Sequence, residues 1–484
     1  MSQQIKYPAF FILLILCSLN SVFYSCTQSI PETANAIDRV PEIYPDYTEI
    51  TVPANIAPLN FQIDEEYERF LVKFSFKGKT LFTIPSSDGE VIIPAKKWKS
   101  VLEACKGESY SVEVFAQKNR EWFRFSPFSN FVADDSIDKY LVYRLIAPGF
   151  ETWGEMGIYQ RCLEDFTQTP IVENRMTGDN CMNCHSFSKN RSETMLFHMR
   201  AKHGGTVILK NNELTKVDTK RENTISAGVY PSWHPGGRLV AFSVNNIVQT
   251  FHAIPDKKVE VFDLLSDLII YDTEDDQVTS GPEVSSPDYF ETFPTWSPDG
   301  KTLFFCRAEA LPAEKYDEIR YDLYKVGFSE ESKSFGELVS VLNVSQNRKS
   351  VTFPRISPDG KYLLFCLVDY GNFSIWHNES DLYCLNLETG EVSEAAPLNS
   401  NYTESYHSWS ANGKWVVFSS RRSDGLYTKP YIGYFSDNGS FSKPFVLPQK
   451  KPDYYTRFLK SFNIPEFVTS KVDFPTQDFL KMIE

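Results

Sequence analysis

Four segments of this chain align on one another without gaps: YPSWHPGGRLVAFS (230–243), FPTWSPDGKTLFFC (293–306), FPRISPDGKYLLFC (353–366) and YHSWSANGKWVVFS (406–419). Their central residues, Trp233, Trp296, Ile356 and Trp409, are separated by 63, 60 and 53 residues. A unit of this size buries its apolar face only by stacking on its neighbours, so the repeat confines the chain to a propeller or another array. In Ser297-Pro298-Asp299-Gly300 the proline fixes φ at the second turn position, the serine can bond back to the backbone, and the glycine closes a type I turn. The runs TLFFC (302–306) and YLLFC (362–366) that follow are continuously apolar, as strands covered on both faces are. Later in each unit comes a second hairpin, as in DLIIYDTEDDQ (267–277) and DLYCLNLETGE (381–391). Two hairpins make a four-stranded blade.

SPDGK, an apolar run and a strand ending in Glu388-Thr389-Gly390 together resemble the TolB-like propeller repeats, relatives of the WD-type propellers. The resemblance covers about 190–448, roughly half the chain. It implies an all-β propeller and, as in TolB, a platform for protein interaction; it implies no activity. The first of the four segments departs from the pattern at His234 and Gly236, the last at Ala411 and Asn412. Residues 195–219 read as a degenerate earlier blade, and YLVYRLI with MGIYQRCL (140–163) as a candidate for another. Six blades are expected, with five and seven as the alternatives.

Ahead of the repeats, 46–133 carries short alternating strands (TEITVP, FLVKFSF, KTLFTIP, EVIIP, SYSVEVFAQ) and one short helix at KKWKSVLEAC. The pattern resembles an immunoglobulin or fibronectin-III-like sandwich, a module that usually spaces or docks other domains. An aromatic content of 15%, with 38 Phe and 25 Tyr, suits half-buried strands throughout.

Lys6, the apolar run Phe10 to Leu16 and the polar stretch before Ser25-Cys26 read as a secretory signal, too short to span a bilayer. Ser25-Cys26 resembles the cleavage box of bacterial lipoproteins, although Phe23 and Tyr24 depart from it. The resemblance implies a signal over 1–25, lipidation of Cys26, and an anchored protein of the cell envelope. Thr27 after the cysteine is similar to lipoproteins sorted to the outer membrane, facing the periplasm. Residues 26–45 are expected to form an extended tether. With 49 Lys+Arg against 63 Asp+Glu the net charge is −14, which argues against nucleic acid as a partner and against a basic membrane-binding face.

The chemical signal is Cys181-Met182-Asn183-Cys184-His185, a CxxCH within 134–189, expected to be a linker or a first blade. The motif is that of c-type haem attachment: two thiols at this spacing add to the two vinyl groups of a porphyrin, and the adjacent imidazole becomes the proximal iron ligand. A covalent haem c on Cys181 and Cys184 with His185 as axial ligand is therefore expected. A zinc site, a redox pair or a staple disulfide are the other readings of the cysteines. Zinc would want a second ligand pair, and a redox pair a thioredoxin-like frame; neither is present in the sequence. No Met lies between Met199 and Met482, which turns the search for a sixth ligand to nearby residues. His198 is the first candidate, on a strand where Leu196, His198 and Arg200 share a face; His203, next to Gly204-Gly205, is the second.

Cys306 and Cys366 stand where Ser243 and Ser419 stand in sister repeats, so they read as small buried residues, while Cys384 is placed to pair with Cys366. No GxSxG elbow, P-loop, dinucleotide fingerprint or HExxH occurs, and no catalytic pair emerges. The tail, 449–484, offers two short amphipathic helices. Two functions fit: a lipid-anchored monohaem electron carrier that docks envelope redox partners on its propeller, or a non-enzymatic interaction scaffold in which CxxCH is structural or sensory.

Overall fold

The computed structural model describes residues 30–147, 155–252 and 258–483. The apolar leader and Cys26 lie outside them. The chain is built mostly of strands, and from residue 140 onward it forms six four-stranded antiparallel sheets arranged as in a propeller.

Five of these sheets are consecutive meanders, opened by the strands Met182–Phe187, Val229–Trp233, Tyr289–Trp296, Ser350–Ile356 and Glu404–Trp409. The sixth is composite. Tyr140–Ile146, Met156–Cys162 and Gln168–Glu173 supply three strands, and Ser461–Val468 returns from the C-terminal region to complete the sheet antiparallel to Tyr140–Ile146. The five opening strands and Ser461–Val468 pack side by side in ring order, with Ser461–Val468 touching both Glu404–Trp409 and Met182–Phe187. The ring is thus shut by residues far apart in sequence.

The turn chemistry of the repeats is realised in the hairpins. Ser297 Oγ accepts from the Thr302 N–H (3.0 Å) and donates to Asp299 (2.6 Å), whose carboxylate accepts from the Lys301 N–H (3.1 Å). Gly300 sits at φ +74°, a conformation that L side chains rarely adopt. Ser357 and Asp359 repeat the arrangement, and Ser410 with Asn412 does so with an amide in place of the carboxylate.

Three segments refine or correct the sequence reading. Residues 134–189, read as linker or first blade, supply three strands of the composite sheet, and Met182–Phe187 opens the next sheet. The tail contributes a full strand, a short helix Tyr454–Arg457 and a terminal helix Thr476–Ile483. Part of the expected tether, Asn35–Ile37, pairs in parallel with Phe123–Phe125, because that edge of the N-terminal sheet offers free backbone groups.

Residues 35–132 form a seven-stranded and a three-stranded sheet with the helix Ala95–Ala104. Trp98 on that helix donates to the Ile56 carbonyl (2.8 Å) and packs edge-on against Tyr110. This core runs on into Trp415, Val417, Ile432 and Phe445 of the last meander. Tyr434 donating to Asp135 (2.8 Å) and Arg161 donating to the Pro448 carbonyl (2.7 Å) tie the same seam. No helix among the described residues is long and apolar enough to cross a membrane.

Candidate functional site

Each of the six inner strands carries the same irregularity. The ladder to the neighbouring strand skips two residues, and the first of each skipped pair is left-handed without being glycine: Cys184 (φ 52°), Tyr230 (49°), Phe293 (52°), Phe353 (51°), Tyr406 (49°) and Ile464 (53°). Such a conformation costs on the order of 1 kcal/mol or more at each position and persists only where the surroundings enforce it. The second skipped residue has no ladder hydrogen bond to give, which is why proline is tolerated there. It is Pro231, Pro294, Pro354 and Pro465 in four strands, and His185 and His407 in the other two.

The bulges swing the left-handed side chains onto the axis. Tyr230 and Phe293 lie 4.4 Å apart between ring centroids, Phe293 and Phe353 4.1 Å, and Phe353 and Tyr406 4.9 Å. This aromatic cluster, with Ile464 and Cys184, fills the centre of the channel and separates a wide cavity of about 430 Å³ from a narrow one of about 180 Å³. Cys184, Tyr230, Tyr406 and Ile464 border both.

The wide cavity opens among the repeat turns. The third bulge residues, Ser186, Ser232, Thr295, Arg355, Ser408 and Glu466, edge it with hydroxyls and one charged group of each sign. Burial pushes the Glu466 carboxyl up to about 7, against the Phe187 N–H that donates to it (3.0 Å) and the charge of Arg355. Behind them, Trp233 donates to the Ser186 carbonyl (3.3 Å) and Trp409 to the Arg355 carbonyl (3.1 Å), so these two indoles each fasten a sheet to the one before it.

The CxxCH residues distribute over the two cavities. Cys181 borders the narrow cavity, Cys184 both, and His185 the wide one. Both thiols are free. Burial raises the Cys181 thiol, and the nearby guanidiniums of Arg144 and Arg200 oppose that shift. His185 is 2% exposed, and neither ring nitrogen makes a hydrogen bond among the described residues. Burial pushes its imidazole down to about 3, the Arg144 charge adding to the effect and the Ile464 backbone opposing it. His407, its counterpart, is also driven to about 3 by burial, but its Nε2 donates to the Leu364 carbonyl (2.9 Å).

For a porphyrin, the two thiols on one cavity fit covalent attachment, whereas the buried imidazole of His185 does not share that cavity. The imidazole opens on the far side of the aromatic plug from Cys181. His198 faces Asn183 across the ladder, and its Nδ1 lies 3.3 Å from Thr206 Oγ1. His203 is in the turn Ala201–His203 and its backbone N–H donates to Asn180 (3.2 Å). Neither borders either cavity. Cys306 and Cys366 are fully buried, and Cys366 and Cys384 remain unpaired. No group of three or more metal-ligating side chains occurs among the described residues.

Two sets of site residues escaped the sequence reading. The plug had a visible signal, the aromatic three residues before each repeat Trp or Ile. Arg144, Arg200 and Arg421, which line the narrow cavity, had none, since each follows from a different sheet.

No family model and no curated protein sequence matches the chain. Among solved structures, an oligogalacturonate lyase in complex with manganese is similar at 11% identity and a TM-score of 0.37, over 62% of this chain and 72% of that one. The β-propeller domain of the trilobed protease from Pyrococcus furiosus is similar at 12% identity and a TM-score of 0.33, over 83% of this chain and 96% of that one. An oligogalacturonate lyase from Vibrio parahaemolyticus is similar at 10% identity and a TM-score of 0.33, over 62% and 92%.

Proposed function

We propose that this is an exported, lipid-anchored protein of the bacterial envelope in which an immunoglobulin-like sandwich precedes a six-bladed TolB-like propeller, and that the propeller carries one c-type haem on Cys181 and Cys184 and passes electrons between envelope partners. The observation that carries the reading is that both thiols of the motif are free and border one cavity walled by three guanidiniums. A haem held there would supply a one-electron couple. The residues of this chain hold it by the two sulfurs, offer Arg144, Arg200 and Arg421 to its carboxylates, and restrict water through the apolar walls Ile146, Val261 and Trp376. His185, the iron ligand that the motif implies, borders only the wide cavity, so the reading rests on the two sulfurs and the guanidiniums and not on this imidazole.

Absorbance and intact mass test this reading. Protein made in a haem-c-competent host should show a Soret band and the mass of one porphyrin, both lost in the Cys181→Ala, Cys184→Ala double variant. Wild-type protein with neither band nor added mass would end the haem reading.

One observation favours the scaffold reading. Cys184-His185-Ser186-Phe187 occupies the bulge in the same way as Tyr406-His407-Ser408-Trp409, which lacks both cysteines, so a bulge histidine has a purely structural precedent in this chain. Under that reading the double variant keeps its fold and its partner binding, and no porphyrin is found.

A further inference from the structure

We propose that the narrow cavity is a binding site for a ligand bearing carboxylates, held by Arg144, Arg200 and Arg421. This goes beyond the haem reading, because the same chemistry serves the propionates of a porphyrin or a free organic polycarboxylate.

The chain carries a net charge of −14, so a cationic surface pair should readily find an acid. These three guanidiniums do not: among the described residues none of them forms an ion pair. The acid that borders the cavity, Glu155, is engaged by Lys460 at 2.7 Å. Arg144 spends one N–H on the Met182 carbonyl (3.3 Å), and its buried Nε has no partner. Arg421 is 3% exposed, lies over the Trp376 ring at 3.4 Å, and donates Nε to the Ile375 carbonyl (2.7 Å) and one Nη to the Leu426 carbonyl. No hydrogen bond from its other Nη is seen among the described residues. Arg200 is exposed, makes no side-chain hydrogen bond among the described residues, and is anchored through its backbone N–H on the Cys181 carbonyl (3.0 Å).

Each guanidinium has five N–H donors in a planar fork that matches a carboxylate. A buried cation without a direct ion-pair partner is costly, and burial lowers Arg421 to about 9, the charge of Asp424 opposing only in part. An anionic ligand removes that cost. Val259, Val261 and Trp376 meanwhile give it an apolar body contact, the usual make-up of a small-molecule site.

The test uses the full chain made without haem attachment and two matched pairs of probes in calorimetry: citrate against triethyl citrate, and haemin against haemin dimethyl ester. In at least one pair the acid should bind about tenfold or more tightly than its ester, the size expected for losing one charge-assisted contact. Arg200→Gln should abolish that preference with the melting temperature unchanged, since the side chain is exposed. Arg144→Gln should do the same, and its folding is checked by circular dichroism. A preference in the haemin pair alone assigns the site to propionates; a preference in the citrate pair as well assigns it to carboxylates at large. Acid and ester binding alike in both pairs, or a preference untouched by Arg200→Gln, would overturn the proposal. The haem reading fails separately, on the absence of a covalent porphyrin from wild-type protein.

Discussion

Cys184 and Tyr406 hold one backbone position in two different sheets: each is the left-handed residue of an inner-strand bulge, at φ 52° and 49°, and each is followed by a histidine. Five of the six residues at this position are bulky, and together they fill the axis. Cysteine is the small member, which leaves its sulfur room beside the plug. Cys184→Gly should therefore change stability by less than about 1 kcal/mol, because relief of the left-handed backbone offsets the lost side chain. Cys184→Val should cost about 2 kcal/mol or more, since a β-branched residue fits this region worst. Chemical denaturation of the two variants decides; equal losses would show that the bulge is not under strain.

The two bulge histidines should respond differently to truncation. His407→Ala leaves the buried Leu364 carbonyl without its donor and should cost about 1–3 kcal/mol beyond the lost packing. His185→Ala breaks at most a poorly aligned contact with the Ile464 backbone among the described residues and should cost less. Urea midpoints of the pair measure the difference, and a larger loss at His185 would contradict the geometry.

Asp263 gives a pH dependence of known sign. Its carboxylate is buried and accepts from Asn245 (2.8 Å), Tyr321 (2.9 Å) and Asn372. Burial outweighs those donors and raises it to about 6. Between about pH 4 and 6 the unfolded chain gives up this proton while the folded one keeps it, so stability is full below pH 4 and falls as pH rises, by on the order of 2–3 kcal/mol. Asp263→Asn should remove this contribution to the slope. It should also lower stability at both ends by about 1–3 kcal/mol, because an amide N–H then meets a donor. A variant with the wild-type slope would assign the titration elsewhere.

Closure by the C-terminal strand should dominate global stability. Phe462 and Phe467 are fully buried, and each change to Ala should cost about 3–5 kcal/mol. Deleting 461–484 should go further, leaving the edge of Tyr140–Ile146 unpaired, with loss of a cooperative transition and self-association in size-exclusion chromatography. A truncated chain that melts as a monomer at the wild-type midpoint would show that the composite sheet stands on three strands.

What the sequence revealed was local. The turn motif and the apolar run after it are neighbours in sequence, so four opening strands could be read directly. The opening strand at 182–187 was hidden because it is followed by the turn Ser188–Asn190 and not by SPDG. The strand at 461–468 was hidden because its pairing partner lies some three hundred residues earlier, and no hairpin turn marks such a pairing. Both nevertheless carry the repeat in reduced form, Cys-His-Ser-Phe and Ile-Pro-Glu-Phe, with an aromatic three residues after the bulge. The motif cysteines were found by their spacing. That Cys184 borders both cavities and His185 only the wide one depends on the bulge, which inverts the usual strand alternation and has no signature in composition.

The aromatic plug sits as a stopper between the two cavities, whose walls share Cys184, Tyr230, Tyr406 and Ile464. Cys184 is part of that stopper, and the peptide unit joining it to His185 crosses the partition. Whatever is fastened to the sulfur on one side pulls on a backbone whose next side chain feels only the other. A single amide is thus the shortest lever between the two faces, and the place where occupancy of one compartment is most directly transmitted to the shape of its neighbour.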